Sequence, residues 1–121
     1  GTKASAPEPD GGELRFDALT AYAGDDAEAA QSILASFAEQ TAANCTALCE
    51  ALDADDAAGV KALTHKMLPI FTMLGAAEVA ETLRRGETCE GPLPEALCGA
   101  LRAAAGKIRA IVAEAEKTLS L

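Results

Sequence analysis

The chain has 121 residues, a formal net charge of −9 and a single histidine. This length favours one domain with a single core, and the negative charge argues against nucleic acid and anionic membrane surfaces, which attract basic footprints. With no tryptophan, one tyrosine and three phenylalanines, an alanine-rich apolar fraction predicts an all-α fold rather than a sheet.

Residues 1–12 combine Pro, Gly and small polar residues without apolar periodicity. This composition predicts a flexible linker or chain end, followed by one domain over residues 13–121. No apolar run reaches the length of a transmembrane helix, and the N-terminus lacks the basic-then-apolar pattern of a secretory signal. We therefore expect a cytoplasmic domain that makes no direct contact with a membrane.

The first two helices are predicted from apolar spacing and from acidic caps. A short apolar segment from Phe16 to Tyr22 indicates a short first helix that ends at Gly24. Asp25 or Asp26 is suited to cap a second, long helix. Its apolar positions recur at helical spacing: Ala30, Ile33, Leu34, Phe37, Thr41, Cys45, Leu48 and Leu52.

Three further helices follow in the same way. The acidic cluster 53–56 ends the long helix and caps a third helix, which we expect to end at Gly75, as a C-cap or a tight turn. A shorter helix follows, then a loop over 86–93, and Pro94 suits the first turn of a last helix. Short connections predict an antiparallel, up-down four-helix bundle with an extra short N-terminal helix.

The third helix contains His65 in a stretch, 57–77, that has no Asp or Glu and whose only charges are Lys61 and Lys66. A helical wheel places His65 about 170° from the centre of the apolar stripe, so it is predicted to face solvent. The stripe consists of Val60, Leu63, Met67, Ile70, Phe71 and Leu74. The predicted neighbours of His65 on the outer face are Lys61, Leu68, Pro69 and Thr72.

An exposed imidazole can act as a nucleophile without a dedicated base, because much of it is neutral near pH 7 and one ring nitrogen has a free lone pair. A nucleophilic Ser or Cys would need a partner histidine, and a metal site would need several converging ligands. Pro69 removes one backbone hydrogen bond from the carbonyl of His65. This indicates either a tolerated kink or open space beside the imidazole ring.

The four cysteines are Cys45, Cys49, Cys89 and Cys98. They form no Cys-x-x-Cys pair, and the single histidine lies on a different helix, so no metal site is predicted. Buried or half-buried reduced thiols are the favoured interpretation. A metal or redox site built from these cysteines is the weaker alternative.

The sequence His65-Lys66, followed by Pro69 and Gly75-Ala76 on the second long helix of a small acidic all-α chain, resembles histidine-containing phosphotransfer (HPt) domains. The resemblance covers about residues 14–119 and is to the type found at the C-terminus of hybrid sensor histidine kinases. It implies that His65 exchanges a phosphoryl group with an aspartate of a response-regulator receiver domain. It also implies a monomeric carrier that is not an enzyme and has no cofactor, with Mg²⁺ bound by the receiver, in the cytoplasm or tethered to a sensor kinase.

The usual family motif has a lysine three residues after the histidine and a glycine four residues after it, where this chain has Leu68 and Pro69. The role of that lysine, stabilising the phosphoryl group, therefore cannot be carried over to Leu68, and Lys61 or Lys66 is the candidate substitute. Lys61 is better placed because it lies one turn before His65 on the same face.

The receiver is expected to dock on Leu68, Pro69 and Thr72, beside an imidazole with no carboxylate nearby. Exposed apolar residues next to a reactive group fit docking by a partner protein. The alternative function is a helical protein-binding module, a pseudo-HPt domain, that uses the same surface without being phosphorylated.

Overall fold

The structure is a computed structural model that describes residues 14–119 of the chain. Over these residues the chain is helical and has no strand, which confirms the predicted all-α class. The predicted linker, 1–12, lies outside the described residues. The helices are α1 (Phe16–Thr20), extended by a 3₁₀ turn (Ala21–Ala23), α2 (Ala27–Asp53), α3 (Ala57–Leu74), α4 (Ala77–Thr88) and α5 (Glu95–Leu119). None of these helices is both long and apolar enough to span a bilayer.

Two acidic side chains cap the N-termini of α2 and α3. Asp26 caps α2 by accepting a hydrogen bond from the backbone N–H of Ala29 at 3.0 Å. Asp56 caps α3 in the same way, accepting from the N–H of Gly59 at 2.9 Å. Each cap satisfies a backbone donor that has no partner within its own helix. Both helices therefore begin where the sequence predicted.

Gly75 ends α3 in the left-handed conformation, with φ of 79°. Its N–H bonds to the carbonyl of Thr72, and the N–H of Ala76 bonds to the carbonyl of Phe71, both at 3.1 Å. This pair of bonds is a Schellman motif, in which glycine adopts positive φ without the steric cost of a Cβ. The C-cap predicted for Gly75 is confirmed.

The predicted loop over 86–93 is wrong at its start, since α4 runs through Gly86 to Thr88. Gly86 is buried within α4, at a point where α4 packs so closely on α3 that a Cβ would have no room. Pro94 directly precedes α5, which begins at Glu95, and its carbonyl accepts the N–H of Cys98 at 3.0 Å. Pro94 therefore adjoins the first turn rather than lying within it.

The core is built from packing between the four longer helices, with α2 and α4 each contacting both α3 and α5. The short α1 packs on α2 and α3. Phe37 links these layers, with its ring centroid 6.2 Å from that of Phe16 and 6.3 Å from that of Phe71. Both pairs are inclined at 60°, and edge-to-face arrangements at such distances are favourable. These packed rings lie on the buried side of α3, opposite to its outer face.

Candidate functional site: an exposed histidine on α3

His65 lies on the outer face of α3, and its side chain is 74% exposed. The adjacent Thr64 is completely buried, as are Phe71 and Leu74 further along the helix. The predicted orientation of His65 is therefore confirmed. The predicted stripe is shifted slightly, because Thr64 belongs to the buried face while Leu63 and Ile70 are only half-buried.

The surroundings of His65 contain a carboxylate, contrary to the sequence-based expectation. Glu87, in the last turn of α4, places Oε2 2.5 Å from Nδ1 of His65, and its own side chain is 26% exposed. The expectation failed because it considered only the residues of α3. The nearest acidic group comes from the neighbouring helix, 22 residues further along the chain.

This contact favours one tautomer of the neutral imidazole ring. An ionised carboxylate accepts hydrogen bonds and cannot donate, so Nδ1 must carry the proton that it donates to Glu87. In the neutral ring the other nitrogen, Nε2, then holds the lone pair. No described residue is a hydrogen-bond partner of Nε2. In that tautomer, His65 presents an unprotonated nitrogen on an exposed side chain.

The contact between Thr64 and Gly86 sets the distance between α3 and α4 at this level. A Cβ on Gly86 would lie 2.8 Å from Cγ2 of Thr64, closer than real side chains approach. The Thr64 hydroxyl is directed back to its own helix, with the carbonyls of Val60 and Lys61 at 2.9 and 3.0 Å. Because Thr64–Gly86 and His65–Glu87 are adjacent pairs, the close approach at the first pair brings the second within bonding distance.

The two predicted phosphate-supporting residues, Lys61 and Lys66, are both exposed on α3. Lys61 lies one turn before His65, a spacing at which side chains on a helix are neighbours. No carboxylate of the described part of the chain pairs with either ammonium group. Both cations can therefore approach an anionic group held at His65.

The three predicted docking residues differ in accessibility. Pro69 and Thr72 are exposed, whereas Leu68 is half-buried and packs against the main core cluster. The Thr72 hydroxyl donates to the carbonyl of Leu68 at 3.0 Å. Leu68 therefore offers less contact surface to a partner than its position on the wheel predicted.

A groove between α2 and α3 adjoins the site on the side away from Glu87. It encloses about 370 Å³. Among the described residues of its lining, Lys66 is the only charged one; these residues are Gln40, Thr41, Ala43, Asn44, Lys66, Met67, Ile70 and Phe71. A second groove shares Gln40 and Ile70 with it and continues to Leu19 on α1. An apolar centre surrounded by a polar rim is typical of protein–protein interfaces.

Sequence reasoning missed both Glu87 and this groove. A signal for Glu87 was present, since Val79, Leu83 and Gly86 recur at helical spacing and include the glycine in the pattern of α4. Glu87 lies four residues after the buried Leu83, on the same side of the helix. The groove had no comparable signal, because its lining comes from two helices whose relative position depends on packing.

Comparison with protein-family models, with curated proteins and with solved structures finds no match for this chain. The function is therefore argued from the site itself. Within residues 14–119, no group of three or more His, Cys, Asp or Glu side chains is arranged to hold a metal ion. Cys45 is buried and the other three cysteines are half-buried, which agrees with the burial expected from the sequence; all four are free.

Proposed function

We propose that this chain is a phosphoryl carrier of the HPt type, in which His65 accepts a phosphoryl group from a receiver aspartate and returns it. The observation that carries the proposal is the 74% exposed imidazole of His65 whose Nδ1 contacts Glu87 at 2.5 Å. That contact leaves Nε2 as the nucleophile. Phosphoryl transfer depends mainly on positioning and charge neutralisation, so an oriented nitrogen and nearby cations meet its main demands.

In the transfer step Nε2 of His65 attacks the phosphorus atom of the receiver's acyl phosphate. A nitrogen–phosphorus bond forms, the phosphorus–oxygen bond to aspartate breaks, and the aspartate leaves with the electron pair as a carboxylate. The imidazole ring becomes a cation that keeps its Nδ1 proton. Glu87 stabilises that cation, as a carboxylate next to a histidine does when the ring gains charge.

The receiver would dock over α2 and α3 rather than over α4. The groove beside Lys66 supplies apolar surface there, and Pro69 and Thr72 are exposed on the outer face of α3. The acidic pocket and Mg²⁺ belong to the receiver, so Lys61 and Lys66 complement its charge, whereas Glu87 opposes it. We further propose that α2 to α5 form an antiparallel up-down bundle and that the domain acts in the cytoplasm.

The test is phosphoryl transfer from phosphorylated receivers encoded together with the parent gene. The wild type should gain a label that is labile in acid and stable in base, as expected for phosphohistidine, and His65→Gln should gain none. A label that persists in His65→Gln would overturn the assignment. If the wild type and His65→Gln bind a receiver with equal affinity and neither gains a phosphoryl group in the presence of Mg²⁺, the alternative, a pseudo-HPt binding module, is favoured. The observation that supports this alternative is Leu68, which occupies the position of the family lysine.

The roles of the two lysines can be separated by single substitutions. Lys61→Ala is expected to slow transfer about fivefold, the effect of one charge pair at close range in water. Lys66→Ala is expected to have a smaller effect on the chemical step and to weaken receiver binding instead, because Lys66 lines the groove. Rates at saturating receiver, together with the dissociation constant, distinguish the two effects. Equal rates for the two variants would remove the role assigned to Lys61.

A further inference from the structure

A second set of reactive side chains lies between α2 and α5, outside the contacts of His65. Cys45 and Cys49 are one helical turn apart on α2, and Arg109 of α5 lies opposite them. A guanidinium nitrogen of Arg109, Nη1, is 3.9 Å from the sulfur of Cys49. The sulfur of Cys45 is 3.4 Å from the carbonyl oxygen of Ala105. The proposed function uses none of these groups.

The hydrogen bonds of these cysteines give their sulfurs different roles. Cys45 donates to a carbonyl, and burial raises the pKa of its thiol. Cys89 also faces carbonyls, those of Glu90 and Pro92, both at 3.9 Å. Since a carbonyl only accepts, both sulfurs act as protonated donors.

Cys49 differs because its sulfur accepts a hydrogen bond from the Arg109 guanidinium. A guanidinium beside the sulfur can also hold an anionic group of a reagent next to it. The fourth cysteine, Cys98, is half-buried against the smaller core cluster. Among the cysteines whose hydrogen bonds are described, the arrangement therefore favours nucleophilic reactivity at Cys49.

Arg109 also determines which reagents approach Cys49. Its side chain is exposed while Cys49 is half-buried, so a reagent that reaches the sulfur does so beside the guanidinium. The chain carries a net charge of −9, which repels anions from most of its surface. A local cation next to an accessible sulfur counteracts that repulsion and can hold a carboxylate.

We propose that Cys49 is a thiol–disulfide exchange site for small anionic disulfides, with Arg109 holding a carboxylate of the reagent. The Cys49 thiolate attacks one sulfur of the disulfide, so that a new sulfur–sulfur bond forms as the old one breaks. The released half leaves as a thiolate and takes a proton from water. Cys49 is thereby oxidised to a mixed disulfide, and the released half is reduced.

The neighbouring Cys45 does not resolve this mixed disulfide while α2 stays helical. Residues four apart on a helix have Cβ atoms about 5–6 Å apart, whereas a disulfide requires about 3.5–4.5 Å. Attack by Cys45 would therefore require local unwinding of α2, where the helix is packed against α5. The product is consequently a stable adduct on Cys49.

The test compares two disulfides of opposite charge on the reduced chain, oxidised glutathione as the anion and cystamine as the cation. Peptide mass spectrometry over time gives the rate at each cysteine. Oxidised glutathione should modify Cys49 before Cys89, and its preference for Cys49 should exceed that of cystamine. Earlier modification of Cys89 by glutathione, or a preference for Cys49 that is no greater than that of cystamine, would overturn the proposal.

Arg109→Gln tests the role assigned to the guanidinium. It should slow modification of Cys49 by oxidised glutathione about fivefold, the size of one close charge interaction in water, and should slow cystamine less. Arg102→Gln is the matched control, since Arg102 is an exposed arginine of the same helix that pairs with Asp53 at 2.8 Å. Equal slowing by both variants, or equal slowing of both reagents by Arg109→Gln, would contradict the proposal. Circular dichroism checks that each variant is folded, and the comparison of reagents on the wild-type chain does not depend on either variant.

Discussion

Replacing Glu87 with alanine is expected to slow phosphoryl transfer to His65 about tenfold, the lower end of the range for groups that orient an imidazole through its second nitrogen. Without the carboxylate, the neutral ring populates both tautomers, and in one of them Nε2 carries the proton and cannot attack. The cation formed during transfer also loses its partner. The effect stays at the lower end because solvent screens the pair: the side chain of His65 is 74% exposed and that of Glu87 is 26% exposed.

Two further variants separate orientation from charge at this position. Glu87→Gln keeps an acceptor for Nδ1–H, but its amide nitrogen can also donate to an unprotonated Nδ1, so it tolerates either tautomer. We expect it to transfer at a rate between those of the wild type and Glu87→Ala. Glu90→Ala is the matched control, because it removes an equal charge three residues later from an exposed side chain. It is expected to transfer at the wild-type rate.

The tautomer of His65 can be observed directly by nitrogen NMR of the imidazole ring. The wild type should show one dominant neutral form with the proton on Nδ1, and Glu87→Ala should show a mixture. A purely structural role for Glu87 would lower stability without changing that ratio. Faster transfer in Glu87→Ala would mean that repulsion between the carboxylate and the phosphoryl group outweighs orientation, which would contradict the role assigned to Glu87.

Helix boundaries were predictable from the sequence because their causes are local. Asp26 and Asp56 lie three residues before the N–H groups that they cap, and Gly75 supplies the left-handed conformation that ends α3. The outward direction of His65 followed from the spacing of apolar residues on its own helix. Each of these predictions depends on residues within about one or two turns of each other.

Contacts between helices were not predictable from the same patterns. Glu87 reaches His65 from α4, and no spacing within α3 records how closely the two helices approach. The error at Gly86 has the same origin, since glycine is frequent in turns but also occurs in helices where a neighbour leaves no room for a Cβ. The stretch of sequence around His65 does lack Asp and Glu, but the residues that surround His65 in space include Glu87.

Replacing Gly86 with alanine is expected to lower the free energy of unfolding by about 1–2 kcal/mol, the usual cost of adding one methyl group to a tight contact. The added Cβ would lie 2.8 Å from Cγ2 of Thr64 and 3.4 Å from Cδ2 of Leu101. Thr64 cannot easily rotate away, because its β-branched side chain is stiff and its hydroxyl bonds to the carbonyl of Val60. The helices must therefore separate, which also moves Glu87 away from His65.

A matched glycine isolates the contact from helix propensity. Gly106 lies inside α5 with no atom within 4 Å of a Cβ placed on it. Gly106→Ala should therefore stabilise the protein by about 0.5–1 kcal/mol, the ordinary gain of alanine over glycine in a helix. Urea denaturation measures both variants, and equal gains at the two positions would disprove the tight contact at Gly86.

Thr64→Ser completes the test because it removes Cγ2 and keeps the hydroxyl that bonds within α3. Alone it should destabilise the protein by about 1 kcal/mol through the small cavity that it leaves. In its presence, Gly86→Ala fills that cavity, so the double-mutant cycle should give a coupling of about 1–2 kcal/mol. If the Thr64–Gly86 contact also positions Glu87, the single His65 tautomer lost in Gly86→Ala should return in the double variant. Recovery of stability without recovery of the tautomer would show that packing and orientation are separate at this site.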